Sequence, residues 1–413
     1  MTSRSSGADT PPTTPSGPTG PGGVVAPGGM NAPMFALLAA SFLSMVDRAA
    51  LPPMLTAVAS DLDASIGEIG AALAVYSVTY AISQLAWSAV SSRIGTVRVL
   101  RIALVLGAAF TILTACALDP VMLWIGRALS GLAIGAVVPA TLVFVGDRFA
   151  LGRRAHVLAN LATAVSLGAT AAVVVASVLG PIGAWRWVFV GTAIGELVVA
   201  GLLWRVAAGP RPESRVPLLR SARRVLADGW ALLTFVLVFI EGGLIYGVMS
   251  FFPAALQGAG TDAIVAGLVT AVFGLSVIGS SQLVKLVLGR IPPAVLLLSG
   301  GGAATIAFAL VAVVTSVATV LIASVLLGIA WAVGHTQIQN WMSDAVVRDR
   351  PVGTALFATS MFTGAAVGAA IGSAAAVAGA YTSFFIGATI AGAVFAFAAW
   401  IGRARYQVRG LVD

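Results

Sequence analysis

Charge is the scarcest property of this sequence. Of its 413 residues only 9% are Asp, Glu, Lys or Arg, against about a quarter in an ordinary soluble domain, while 59% are apolar. No water-soluble interior hides that share, so the chain reads as a membrane protein. Cysteine is nearly missing as well. The lone Cys116 excludes a disulfide framework within the chain, and with two histidines no Cys/His set has metal-ligand spacing. There is no phosphate-cradling Gly-rich loop ending in Lys, and no His-Glu-x-x-His or Gly-x-Ser-x-Gly context. ATP hydrolysis, zinc hydrolysis and serine acyl transfer therefore lack their usual residues, and no cofactor is expected.

What the chain has in abundance is long apolar runs. A helix needs about 20 apolar residues to cross a hydrocarbon core about 30 Å thick. That ruler gives twelve segments, near 34–56, 67–90, 99–117, 120–145, 156–179, 185–206, 229–252, 263–288, 294–315, 318–343, 352–377 and 381–402. Loop charge supports the count independently. Every second loop is basic: Arg93, Arg98 and Arg101; Arg148, Arg153 and Arg154; Arg205 to Arg224; Lys285 and Arg290; Arg348 and Arg350; Arg403, Arg405 and Arg409. Of the 23 basic residues only Arg4, Arg48, Arg127 and Arg186 lie elsewhere. The intervening loops hold Asp61, Asp63, Asp119 and Asp262. The positive-inside bias then places the basic loops and both termini in the cytoplasm, and the protein in the cytoplasmic membrane. The net charge of +8 thus reports topology, and nucleic acid is not an expected partner.

Residues 1–32, rich in Pro, Gly, Ser and Thr, are expected to be a disordered cytoplasmic tail, and they do not read as a signal peptide. The expected organisation is a six-helix bundle over 33–207, a basic amphipathic linker over 208–228 lying against anionic lipid, a second six-helix bundle over 229–403, and a cytoplasmic tail over 404–413. Two halves of similar length suit a carrier built from repeated units, with its site between them near the midplane.

Local motifs carry a resemblance. The loop from Ser88 to Leu100, with Arg93 and Gly95 in the middle, resembles the loop signature of the major facilitator superfamily. Ser88 stands where the signature opens on Gly, Ser92 where it has an acid, and Thr96 and Val97 where bases follow. In the family that acid and those bases help latch the halves on the cytoplasmic side. Gly95 also suits a reversal needing positive φ. The stretch Gly126, Arg127, Gly131, Gly135, Pro139 resembles the span 4 pattern common among proton-driven members. Small residues at that spacing let a neighbouring helix approach closely. The Trp185, Arg186, Trp187, Phe189 start of span 6 and the Phe252, Pro253, Gln257 end of span 7 are similar to family members too. The resemblance implies an all-α membrane fold of twelve helices in two six-helix halves, and alternating-access transport. Drug/proton antiporters are the nearest pattern. Their span 5 Gly-Pro motif is absent at Gly168–Ala172, and a pair like Asp47 and Arg48 in span 1 also occurs in carriers of organic anions and lipid-like substrates.

Ionisable side chains at membrane depth are the functional candidates, since each costs about 2.5 to 3.5 kcal/mol at a helix centre. They are Asp47 and Arg48 in span 1, Arg127 in span 4, Glu196 in span 6, Glu241 in span 7 and His335 in span 10. Asp47 and Arg127 lie at matching depths by the 1.5 Å helical rise, and the resemblance sets their spans side by side. Asp47 is either the coupling-proton site or half of a fixed structural pair. Arg48 points about 100° away and reaches either a substrate anion or the same carboxylate. Glu241 is a second proton site or an attractor of cations, with Tyr246 nearby. Glu196 lies on a span that the resemblance makes peripheral, and reads as an acid that hydrogen-bonds a neighbouring helix or stays protonated. His335 and Gln339 share a helix face, as do Tyr76, Tyr80 and Gln84; each set suits substrate contact or packing. Gly364, Gly368 and Gly372 read as a packing seam.

The expectation is a monomeric secondary transporter in a lipid bilayer, driven by protons, moving a small amphipathic molecule outward. The alternatives are an importer or organic-anion carrier of the same superfamily, and remotely a membrane-embedded enzyme. An enzyme would gather its reactive groups at one membrane face, whereas these lie deep.

Overall fold

The computed structural model describes residues 32–149, 151–206, 218–287 and 290–406. The expected N-terminal tail up to residue 31, residues 208–217 of the expected linker and the chain from 407 lie outside the described residues. So do the side chains of Ser92, Arg153, Arg154 and Lys285. Twelve helices are long and apolar enough to cross a membrane: span 1 Pro33–Asp61, span 2 Ile66–Ser91, span 3 Thr96–Ala115, span 4 Pro120–Val145, span 5 His156–Leu179, span 6 Trp185–Trp204, span 7 Gly229–Gly258, span 8 Ala263–Leu283, span 9 Pro293–Val313, span 10 Val317–Ala345, span 11 Val347–Val377 and span 12 Tyr381–Arg405. The protein is a multi-pass membrane protein. Its outer surface agrees, because Ile82, Ile194, Val198, Ile390 and Phe397 are each more than half exposed, an apolar coat that acyl chains cover.

The spans start where the sequence caps them. Ser65 and Glu68 form a capping box at span 2, Asp119 accepts from Met122 N (2.8 Å) with Pro120 in the first turn of span 4, and Asp262 accepts from Ile264 N (2.9 Å) at span 8. The acids of the arginine-poor loops are therefore largely helix caps, each worth about 1 kcal/mol. Asp61 is spent differently, on Arg186 and Trp185 across the loops. Gly95 turns the chain at φ 88°, a conformation that favours glycine.

Among the described residues four spans break their α-helical ladder: span 4, where the helix Pro120–Ile134 stops and resumes at Val137–Arg148, and spans 1, 7 and 10. In span 1 the α-helix Ala32–Ala49 gives way to a tight turn at Pro52–Met54, then resumes at Leu55–Asp61, because two successive prolines lack the N–H the ladder needs. Span 1 consequently runs on to Asp61, beyond the expected end near 56. Spans 7 and 10 each contain a wide π turn, at Gly243–Val248 and Trp331–His335. Such turns recur at functional sites.

Span 1 packs on spans 5 and 6, span 3 on spans 4 and 6, and span 2 on span 4. In the second half span 7 packs on span 11, span 8 on span 10, and span 9 on spans 10 and 12. The halves meet along spans 2 and 11 and along spans 5 and 8. Glycines make those seams possible. A Cβ at Gly67 or Gly70 would collide with Ser373, and one at Gly267 or Gly274 with Ser177 or Thr170. Within the second half, Gly364 and Gly368 press on the backbone of span 7 at Phe239 and Gly243, and Gly372 on the Phe251 ring, which is the expected seam. At the arginine-poor end Thr56 donates to Gln257, tying span 1 to span 7. At the arginine-rich end the short helix Leu218–Ala227 docks through Arg224, whose Nη2 and Nε donate to the two carboxylate oxygens of Asp349 (2.8 and 3.0 Å). That carboxylate raises the Arg224 guanidinium above its ordinary value.

Candidate functional site

Asp47 lies one helical turn before the Pro52 break, on the face of span 1 turned toward spans 3 and 4. Arg127 Nη1 donates to Asp47 Oδ1 at 2.8 Å and Nη2 to the Asp47 carbonyl at 2.9 Å. Ser130 Oγ donates to Oδ2 at 2.8 Å, and Thr111 Oγ1 to Oδ1 at 3.2 Å. Both charged side chains are completely buried. The guanidinium also lies 4.1 Å from the centre of the Tyr76 ring, while Arg127 Nε has no partner. Ser130 follows Arg127 by three residues, so both reach Asp47 from one face of span 4. Removing either charge alone strands the other in a dry interior, which costs about 3 to 5 kcal/mol.

Arg48, the next residue, leaves Asp47 alone. Its guanidinium stacks 4.0 Å from the centre of the Tyr246 ring, 4.2 Å from Phe362 and 5.6 Å from Tyr80, drawing on spans 7, 11 and 2. It is 9% exposed, and its buried Nη1 meets no hydrogen-bond acceptor. Cation–π contact compensates part of the lost hydration but supplies no acceptor for a guanidinium N–H. Arg48 lines a cavity of about 100 Å³ between spans 1, 2, 4, 5, 7 and 8. Met45, Leu73, Met249 and Phe273 give it apolar walls, and Tyr76, Tyr246 and Ser250 polar points. Arg127 reaches the same cavity but spends its charge on Asp47.

Glu241 joins neither arginine. Its Oε2 lies 2.8 Å from His335 Nδ1, joining span 7 to span 10. The His335 ring stacks on Trp331 with centroids 3.9 Å apart and planes 10° from parallel. Trp331 in turn meets Tyr246 edge-on, 5.2 Å between centroids. Glu241 and His335 adjoin the two π turns, and their side chains are 6% and 16% exposed.

The other expected residues divide. Tyr76 and Tyr80 stack on each other at 5.8 Å and sit under the two arginines. Gln84, on their face, donates instead to the carbonyls of Gly135 (2.9 Å) and Tyr80 (3.4 Å), bracing span 2 against span 4. Gln339 is half-buried one turn beyond His335. Arg93 is exposed at the arginine-rich end beside Gly95. Glu196 is fully buried with neither carboxyl oxygen hydrogen-bonded. Four site residues escaped sequence reasoning: Thr111, Ser130, Phe362 and Trp331. Trp331 left a signal in its spacing of four from His335, and Ser130 in its spacing of three from Arg127; Thr111 and Phe362 depend on which helix faces which.

A family profile described as "Major Facilitator Superfamily" matches residues 37–348. An uncharacterised MFS-type transporter, YwfA, of Bacillus subtilis is 38% identical over 79 residues, 19% of this chain and 19% of the relative. A triacylglyceride transporter of Mycobacteroides abscessus is 35% identical over 121 residues, 26% of this chain and 22% of the relative. The chain thus aligns with about a fifth of the length of either curated relative. A crystal structure of a mutant of the nucleoside transporter NupG superposes with a TM-score of 0.73 at 14% identity, covering 90% of this chain and all of the other. That likeness shows the fold.

Proposed function

The chain belongs to the Major Facilitator Superfamily, and on that premise we propose that it is a proton-coupled carrier that exports a small amphipathic molecule bearing an anionic head. Arg48 carries the reading. A buried guanidinium at a cavity wall, stacked on aromatic rings and lacking an acceptor, is completed by a carboxylate or sulfonate from the cavity side. The apolar walls hold the rest of the ligand. Asp47 couples the cycle: a proton taken up there releases Arg127, and the freed guanidinium then faces the cavity it already lines. Glu241 with His335 is a second proton-accepting pair beside the π turns of spans 7 and 10.

Alternation of the basic loops favours a cytoplasmic-membrane protein with both termini inside. In that orientation an inside-negative potential drives an anion outward with about 2.3 kcal/mol per charge per 100 mV, which favours export. One copy holds a complete cavity, so the carrier works as a monomer. The triacylglyceride named for one relative offers no charged head to Arg48, and the anionic reading is preferred for that reason.

Thermal unfolding of the purified protein tests the ligand class, because a ligand that binds only the folded state stabilises it. Benzenesulfonate should raise the midpoint for wild type. Benzenesulfonamide and phenyltrimethylammonium should not, and Arg48→Gln should abolish the rise. Equal stabilisation by all three probes would refute the anionic reading.

A further inference from the structure

Among the described residues, Glu196 is the one buried acid with no hydrogen bond or ion pair to Arg48, Arg127 or His335. It lies at the middle of span 6, fully buried, and neither of its oxygens has a hydrogen-bond partner. Its Oε2 lies beside Gly107 of span 3: a Cβ added there would lie 3.3 Å from that oxygen and would also meet the Ile134 side chain of span 4. An unpaired carboxylate at such a buried position is costly, and no hydrogen-bond donor among the described residues reaches it. The neutral acid is the form it accommodates.

The position of this pocket gives it meaning. Gly107 precedes Thr111 by one turn on span 3, and Ile134 follows Ser130 by one turn on span 4. Thr111 and Ser130 are the two hydroxyls that donate to Asp47, 3.4 Å from each other. Span 3 rises from the arginine-rich end and span 4 descends to it, so both shifts run the same way. Glu196 therefore sits one helical turn below the hydroxyls of the Asp47 cluster, on the side of the arginine-rich end. The ionisable groups facing this region are Asp47 from span 1, Arg127 from span 4 and, at the end itself, Arg101 from span 3, which donates to the carbonyls of Leu203, Trp204 and Val206 closing span 6.

We propose that Glu196 is a proton relay connecting Asp47 to the arginine-rich side of the membrane, through the hydroxyls of Thr111 and Ser130. The relay rests on the reading of Asp47 as the coupling-proton site. As Arg127 withdraws, the neutral Glu196 carboxyl swings across the one-turn gap to the hydroxyls, passes its proton through one of them to Asp47, and is reprotonated from the arginine-rich end. No net charge then stays in the pocket.

Infrared difference spectroscopy of the full chain in lipid vesicles, after a downward pH jump, reads the carbonyl stretch of newly protonated acids. The proposal expects an Asp47 band, absent in Asp47→Asn. It expects Glu196→Gln to keep the amplitude of that band, which reports an intact fold, and to slow its appearance roughly tenfold or more. Glu196→Asp should recover part of the rate. An Asp47 band of unchanged rate in Glu196→Gln would overturn the relay alone. Absence of any Asp47 band in wild type would overturn the reading beneath it and the relay with it.

Discussion

The two halves hold their buried acids in opposite ways. In the first half Asp47 takes donors from Arg127, Ser130 and Thr111, and both charges are sealed from solvent. In the second half Glu241 has His335 as its hydrogen-bond partner, and the pair is partly exposed between two π turns. A proton arriving at Asp47 must displace existing donors and release an arginine, whereas at Glu241 and His335 it adds to a pair already sharing a hydrogen bond. On the proposed reading, the first arrangement would convert protonation into rearrangement of spans 1 and 4. The second tolerates protonation with less disturbance.

The sharpest way to break this contrast is to remove one charge. Asp47→Ala should cost about 3 to 5 kcal/mol by stranding Arg127, while replacing both together, Asp47→Leu with Arg127→Met, should recover most of the loss. Chemical denaturation in detergent checks both, and an equal loss in the double variant would mean that packing, not charge, holds spans 1 and 4. Glu241→Ala should cost less, about 1 to 3 kcal/mol, since it removes one charge-assisted hydrogen bond at a partly exposed site. A cost equal to that of Asp47→Ala would erase the difference between the halves. Arg48→Gln should leave stability near wild type and weaken benzenesulfonate about tenfold or more, read by titration calorimetry. As the smallest effect, Asp119→Ala should cost about 1 kcal/mol through the span 4 cap without altering ligand affinity, which separates loop stability from the site.

Much of this was legible in the sequence. Twelve apolar runs and alternating arginines were enough for the span count, because a bilayer imposes one length and one charge bias on every span, and the family resemblance supplied the arrangement in two halves. The Asp47–Arg127 pair was legible from matching depth together with the resemblance, which set spans 1 and 4 side by side. Three other features were not. Glu241 and His335 are 94 residues apart, and their meeting depends on how far spans 7 and 10 rotate at π turns that no residue pattern announces. Arg48 looked equally able to reach Asp47 or a ligand, and what decides it is Phe362 and Tyr246, contributed by helices far along the chain. Glu196 read as an acid that hydrogen-bonds a neighbouring helix or stays protonated, and that its oxygens find no hydrogen-bond partner among the described residues emerges only from the packing of spans 3, 4 and 6.

The central claim is that an anion held by Arg48 moves against a proton exchanged at Asp47. Counting labelled benzenesulfonate in proteoliposomes under an imposed pH gradient tests it most directly. Wild type should accumulate the probe against its gradient. Asp47→Asn should exchange the probe without accumulating it, and Arg48→Gln should do neither. Gradient-driven accumulation that survives unchanged in both variants would contradict the account.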